Sequence, residues 1–98
     1  MGFKVIISLT AQKQINQSID YYEEKQFNLG IRFYADLKNN LRYLFDDPYL
    51  FPLKDHKYRE LKLSVFPYLI IYEIIDDLVI ILAVFNTSKN PIKKPKKL

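Results

Sequence analysis

From Tyr68 to Phe85 the chain is apolar at every position except Glu73 and the pair Asp76-Asp77. Eight residues on each side of an acidic pair suit two strands joined by a tight turn, and are short for two helices. Alternation puts Tyr68, Ile70, Tyr72 and Ile74 on one face of the first strand and Leu69 and Ile71 on the other. In the second strand Leu78, Ile80, Leu82 and Val84 alternate with Val79, Ile81, Ala83 and Phe85. An antiparallel sheet normally leaves one face polar, so a hairpin apolar on both faces belongs in the middle of a sheet and needs cover on each side.

The rest of the chain supplies one such cover. Phe3, Val5 and Ile7 alternate with Lys4 and Ser8, the pattern of a half-buried strand. From Ala11 to about Lys25, Ala11, Ile15, Ile19 and Tyr22 form one stripe of an amphipathic helix, with Ser8 and Thr10 as candidate N-caps. Asn28-Leu29-Gly30 interrupts it. A second helix runs from about Gly30 to Phe45 on the stripe Phe33, Leu37, Leu41 and Leu44, and Asp46-Asp47-Pro48 ends it. Residues 48–57 read as a loop and Tyr58–Leu63 as another strand. The predicted fold is α+β in the order β-α-α-β-β-β, an antiparallel sheet of about four strands packed on one face by an antiparallel helical hairpin. The second face is left for the chain's own 48–57 loop and tail, a second copy, or a partner segment.

Residues 1–90 then form a single domain and 91–98 a Lys-rich tail. The net charge is +4, yet residues 1–86 carry ten Lys or Arg against eleven Asp or Glu. Residues 87–98 carry five Lys and no acid, so the basic excess lies in the tail and marks a solvated terminus. There is no cysteine, which excludes disulfides and thiolate metal sites. No apolar run reaches the roughly 18 residues of a membrane span, and the N-terminus lacks a signal-peptide pattern, so the expectation is a soluble, cytoplasmic protein with no membrane partner.

Chemistry-bearing residues are few. His56 is the single histidine, no metal-ligand spacing or phosphate-binding glycine loop occurs, and no cofactor or metal is implied. The one polar concentration is Lys54, His56, Lys57, Tyr58, Arg59 and Lys62, opposed by Asp55 and Glu60. Such a cluster neutralises phosphates, or stabilises charge developing on a phosphorane if it surrounds a scissile RNA phosphodiester. It is equally a solvated strand edge. By parity Arg59 shares a face with Leu61 and Leu63, so it either folds back over the apolar surface or caps it through an ion pair.

The order of these elements, together with Ile19-Asp20-Tyr21-Tyr22, Tyr58-Arg59-Glu60-Leu61, Phe66-Pro67-Tyr68 through Tyr72, and Ile80 through Phe85 followed by Asn86-Thr87-Ser88-Lys89-Asn90-Pro91, resembles the RelE/ParE toxin superfamily of bacterial toxin–antitoxin, or plasmid stabilisation, systems. The resemblance is closer to the ParE-like branch. It implies a growth-inhibiting toxin neutralised by a cognate antitoxin, as a homodimer or a toxin–antitoxin hetero-oligomer, with DNA gyrase or the ribosome and its messenger RNA as target. The gyrase-poisoning branch needs no nuclease constellation and is the reading preferred. A ribosome-dependent endoribonuclease would draw its catalytic set from Lys54, Lys57, Arg59 and Lys62; that branch also carries an Arg late in the last strand and a C-terminal Tyr or His, both missing here. A non-toxic degenerate binding module is the third reading. Target or RNA contacts are assigned to Lys54, Lys57, Arg59, Lys62, Asn86 and Lys89, and an antitoxin-binding face to Tyr68, Tyr72 and Phe85. Asn86 stands where ParE-like relatives often have His; an amide donates and accepts hydrogen bonds but exchanges no proton near neutral pH.

Overall fold

In a computed structural model that describes residues 2–88, the chain forms β1 (Lys4–Ile7), α1 (Leu9–Lys25), α2 (Leu29–Asp46), a 3-10 turn (Pro48–Leu50), β2 (Leu53–Lys54), β3 (Tyr58–Lys62), β4 (Tyr68–Ile75) and β5 (Leu78–Asn86). The sheet order is β1-β5-β4-β3-β2. The α+β architecture and the helical hairpin match the expectation from sequence. The sheet is larger and mixed: β1 runs parallel to β5 at one edge, and the two-residue β2 extends the other. β5 is apolar on both faces and is flanked by β1 and β4, which is how a strand of that composition is buried. β2 falls within the stretch read as a loop because two residues carry no periodicity.

The hairpin of β4 and β5 turns at Asp76-Asp77, with Asp76 in the left-handed region (φ 56°). Its register breaks once. Ile71 opposes Ala83 and Tyr72 opposes Ile81, so Leu82 is an extra residue in β5, a β-bulge. Beyond it the faces exchange: Val84 joins Val79 and Ile81 against the helices, while Ala83 and Phe85 turn to the opposite face with Leu69 and Ile71. This corrects the strict alternation inferred for the second strand. The displaced backbone is captured by the start of α1. Ser8 Oγ donates to the Leu82 carbonyl (3.3 Å) and the Val84 amide to Gln14 Oε1 (2.7 Å), while the Ser8 amide continues the regular β1–β5 ladder to the Ile81 carbonyl (3.0 Å). Ser8 is also the N-cap of α1, accepting from the Ala11 amide at 3.1 Å.

The main core lies between the hairpin helices and the sheet. Ala11, Ile15, Phe33, Leu37 and Leu44 meet Ile70, Tyr72, Val79, Ile81 and Val84, all 2% exposed or less. A smaller cluster on the other sheet face holds Leu69, Ile71 and Ala83, against which Tyr58 and Phe85 pack, so the centre of that face is buried and not an open apolar patch. The buried Asp36 carboxylate accepts from the Val65 and Phe66 amides (3.0 and 2.9 Å) and from Asn40 Nδ2 (3.1 Å), pinning the β3–β4 loop to α2.

The two helices approach tightly at Gly30. A Cβ there would stand 2.6 Å from the Ile19 carbonyl oxygen, a backbone atom that cannot swing aside. Glu23 completes the junction by accepting from the Asn28 and Gly30 amides (2.9 and 3.1 Å), with Asn28 left-handed at φ 70°. Gly30→Ala is predicted to cost about 1–3 kcal/mol through forced separation of the helices, read as a lowered Tm. Gly2→Ala is the control, since its Cβ would meet nothing nearer than Phe45 O at 3.4 Å and should leave Tm unchanged.

Candidate interaction site

Two regions hold the polar residues singled out by sequence. The first is the edge formed by β2 and β3. Asp55 and His56 both adopt left-handed backbone (φ 54° and 63°), and the Lys57 amide donates to the Lys54 carbonyl at 3.2 Å, giving a tight turn that displays His56 at an exposed tip. Asp and His are among the side chains that tolerate this conformation. The four cations expected to act together are in fact divided. Arg59 lies on the helix-facing side, as parity indicates, and its Nη1 donates to the Tyr49 and Phe51 carbonyls (3.2 and 2.7 Å) while its guanidinium lies 5.1 Å from the centre of the Tyr49 ring. Tyr72 completes that anchor by donating its hydroxyl to the Pro48 carbonyl at 2.5 Å. Arg59 therefore holds the 48–51 segment in place. Lys57 Nζ pairs with Glu73 at 3.7 Å.

Lys54 and Lys62 are the remaining two. Both are exposed and line a cleft of about 380 Å³ whose other walls are Phe51, Pro52, Glu60, Leu61 and Leu69. Its lining joins two lysines and one carboxylate to apolar residues from both faces of the sheet edge. His56 is not among the residues that line the cleft, and among the described residues no group of three or more His, Cys, Asp or Glu can hold a metal ion.

The second region is the end of β5. Asn86 opposes Tyr68 in the ladder, and its Oδ1 accepts from the Ser88 amide and hydroxyl (2.8 and 2.9 Å), a local turn that ends the strand. Thr87 donates both its amide and its hydroxyl to the Pro67 carbonyl (2.8 and 3.1 Å), fastening the chain to the β3–β4 loop. The Tyr22 phenol is raised to about 12, first by burial and then by the neighbouring Tyr68; a hydrogen bond with Asn86 opposes the rise. A cavity of about 220 Å³ between α1 and this strand end is lined by Gln14, Gln17, Ser18, Tyr21, Phe85 and Asn86, among others. Asn86 thus has a structural role in closing the sheet. Lys89, assigned with it to target contact, lies outside the described residues.

The three residues expected to form an antitoxin-binding face do not share one. Tyr68 and Tyr72 are 4% and 0% exposed beneath the helices, whereas Phe85 is on the opposite side of the sheet because the Leu82 bulge reverses its parity. Sequence reasoning missed Gln14 and Asp36, polar residues whose partners are backbone amides far along the chain. It also missed the cleft, whose apolar walls come from three separate stretches.

Burial raises Tyr72 to about 12 as well, with Arg59 acting to lower it and Asp47 to raise it. A tyrosine that titrates near 10 when unfolded and near 12 when folded contributes its full stabilisation below pH 10 and loses it as pH rises towards 12. Stability is therefore predicted to fall between these values. Phenolate absorbance should show Tyr22 and Tyr72 ionising late, and Tyr72→Phe should remove one late ionisation.

No helix among the described residues is long and apolar enough to cross a membrane. No curated protein sequence matches the chain. Among solved structures, the chromosomal ParDE toxin–antitoxin system from P. aeruginosa is similar with a TM-score of 0.72 at 15% identity, covering 86% of this chain and 95% of that one. A double Arg-to-Ala mutant of the E. coli toxin RelE in the free state is similar with a TM-score of 0.56 at 14% identity, covering 93% of this chain and 90% of that one. At those identities the likeness is one of fold. The sequence profile of the ParE toxin of the type II toxin–antitoxin system parDE matches residues 5–91, nearly the whole chain, and the chain belongs to that family.

Proposed function

We propose that this ParE-family toxin is held inactive by a cognate antitoxin encoded beside it and, when released, arrests growth by binding and inhibiting DNA gyrase. The observation that carries the choice of binding over RNA cleavage is the division of the basic cluster. Arg59 is committed to two backbone carbonyls, which takes one cation of a nuclease set into the fold, and Lys57 makes a surface ion pair with Glu73. General acid–base catalysis further needs a group that exchanges a proton within reach of the scissile bond. His56 sits at the exposed tip of a turn and does not line the cleft, and the Asn86 amide cannot take that role.

Induction without antitoxin should stop growth and be followed by double-strand DNA breaks and the DNA-damage response, while co-expression of the neighbouring gene restores growth. Arrest with intact DNA and normal supercoiling would remove gyrase as the target. If primer extension then found codon-positioned cuts in messenger RNA that vanish in a Lys54→Ala/Lys62→Ala variant, the ribosome-dependent endoribonuclease reading would replace it. Harmless expression of a stably folded chain would leave only a binding module.

A further inference from the structure

β5 is longer than the strand beside it. The parallel ladder with β1 ends where Ile7 opposes Ile81, because the chain turns at Ser8 into α1, so the outer edge of β5 beyond Leu82 is bordered by a helix instead of a strand. Side chains from the start of α1 take up part of that edge: Ser8 Oγ serves the Leu82 carbonyl and Gln14 Oε1 the Val84 amide. In an antiparallel ladder the N–H and C=O of one residue point the same way, so the Val84 carbonyl also faces α1 and not β4. Val84 is 1% exposed, and no group among the described residues donates to this carbonyl. A buried peptide oxygen in that position calls for a donor from outside the chain.

Water meets such a need in many proteins, but the surroundings here suit a larger guest. The cavity of about 220 Å³ lies at this edge, with Gln14, Val84, Tyr21 and Phe85 in its lining. Because Gln14 Oε1 is held by the Val84 amide, the planar carboxamide fixes Nε2 as well, and Nε2 has no partner among the described residues. The wall thus presents one N–H donor beside one carbonyl acceptor. Tyr21 is braced by the Tyr22 ring at 5.1 Å and by Lys25 Nζ at 5.0 Å, and Phe85 by the cluster of Leu69, Ile71 and Ala83, so two aromatic side chains bound the same space from braced positions. Among the described residues the lining carries no charged side chain. Its volume is below the roughly 300–1,000 Å³ of sites for drug-sized molecules. A donor–acceptor pair beside aromatic rings, in a neutral site of this size, matches a planar heterocycle whose edge carries an N–H next to an acceptor, which is the edge of a nucleobase.

We propose that this cavity binds a single nucleobase, whose N–H donates to the Val84 carbonyl, whose neighbouring acceptor receives Gln14 Nε2, and whose ring lies against Phe85 and Tyr21. The base belongs to a free nucleoside or to a single-stranded nucleic acid. The site does not depend on gyrase being the target.

The test follows two signals in nuclear magnetic resonance spectra of the isotope-labelled full-length chain: the Gln14 side-chain amide, and the Phe85 backbone amide, whose peptide unit carries the Val84 carbonyl. Uridine and adenosine should move both in a saturable way. N3-methyluridine and N6,N6-dimethyladenosine, which lack the N–H, should not. Gln14→Glu keeps an oxygen for the Val84 amide and removes the donor; with an unchanged thermal melt it should weaken nucleoside binding about fivefold or more. Tyr21→Leu leaves the bulge untouched and should weaken binding in the same direction. The proposal is overturned if neither the nucleosides nor a single-stranded oligouridine moves the two signals, if the methylated nucleosides bind equally well, or if both variants bind like the native chain. Oligouridine that moves the signals at a lower concentration than uridine assigns the base to a single-stranded nucleic acid; response to the nucleosides alone assigns it to a free nucleoside.

Discussion

The single extra residue at Leu82 governs more of this fold than any other local feature. A bulge in a central strand leaves backbone groups displaced from the ladder, and in a buried location each such group is costly unless it finds a partner. Here the partners come from the start of α1: the Ser8 hydroxyl and the Gln14 side chain. These two bonds therefore satisfy the bulge and fix where α1 sits on the sheet. With α1 placed, Gly30 allows α2 to approach it, and α2 in turn brings Asp36 to the β3–β4 loop. The helices are positioned by polar bonds of defined geometry, and apolar burial then fills the space between.

A second chain of dependence organises the opposite end. Tyr72 lies at the centre of the sheet, and its hydroxyl fixes Pro48; Arg59, its neighbour across β3, fixes Tyr49 and Phe51. Pro52 follows directly, so the point at which β2 must stop is set by the same pair of side chains that anchors the preceding turn. The cleft beside Lys62 is the consequence. It exists because a segment rigidly held by Tyr72 and Arg59 delivers a proline to a ladder position that requires a donor.

Much of this was legible in the sequence, and the limits have physical causes. The helical hairpin, the β4–β5 pair and the burial of both hairpin faces follow from apolar periodicity, which persists over enough residues to be read. The family resemblance, carried by the order of short motifs, agrees with the profile match over residues 5–91. The inward placement of Arg59 also followed from parity. Alternation could not reveal the bulge, because Leu82 is as apolar as either neighbour; every face assignment beyond it, including that of Phe85, was reversed as a result. Gln14 and Asp36 read as ordinary polar positions on helices, since the amides they bind lie 70 and about 30 residues away.

The charge distribution bears on what the folded body can bind. With Arg59 and Lys57 engaged, Lys54 and Lys62 are the cations of this cluster left facing the cleft. Single-stranded nucleic acid releases about 0.7 counterion per phosphate neutralised, so two lysines give a salt dependence with a slope near −1.4, against roughly −3.5 for the five lysines of residues 87–98. Of these two groups of lysines, the terminal one would therefore give the steeper salt dependence. At the cleft itself, where the Glu60 carboxylate also lines the wall, the counterion release available to an anionic ligand is smaller still.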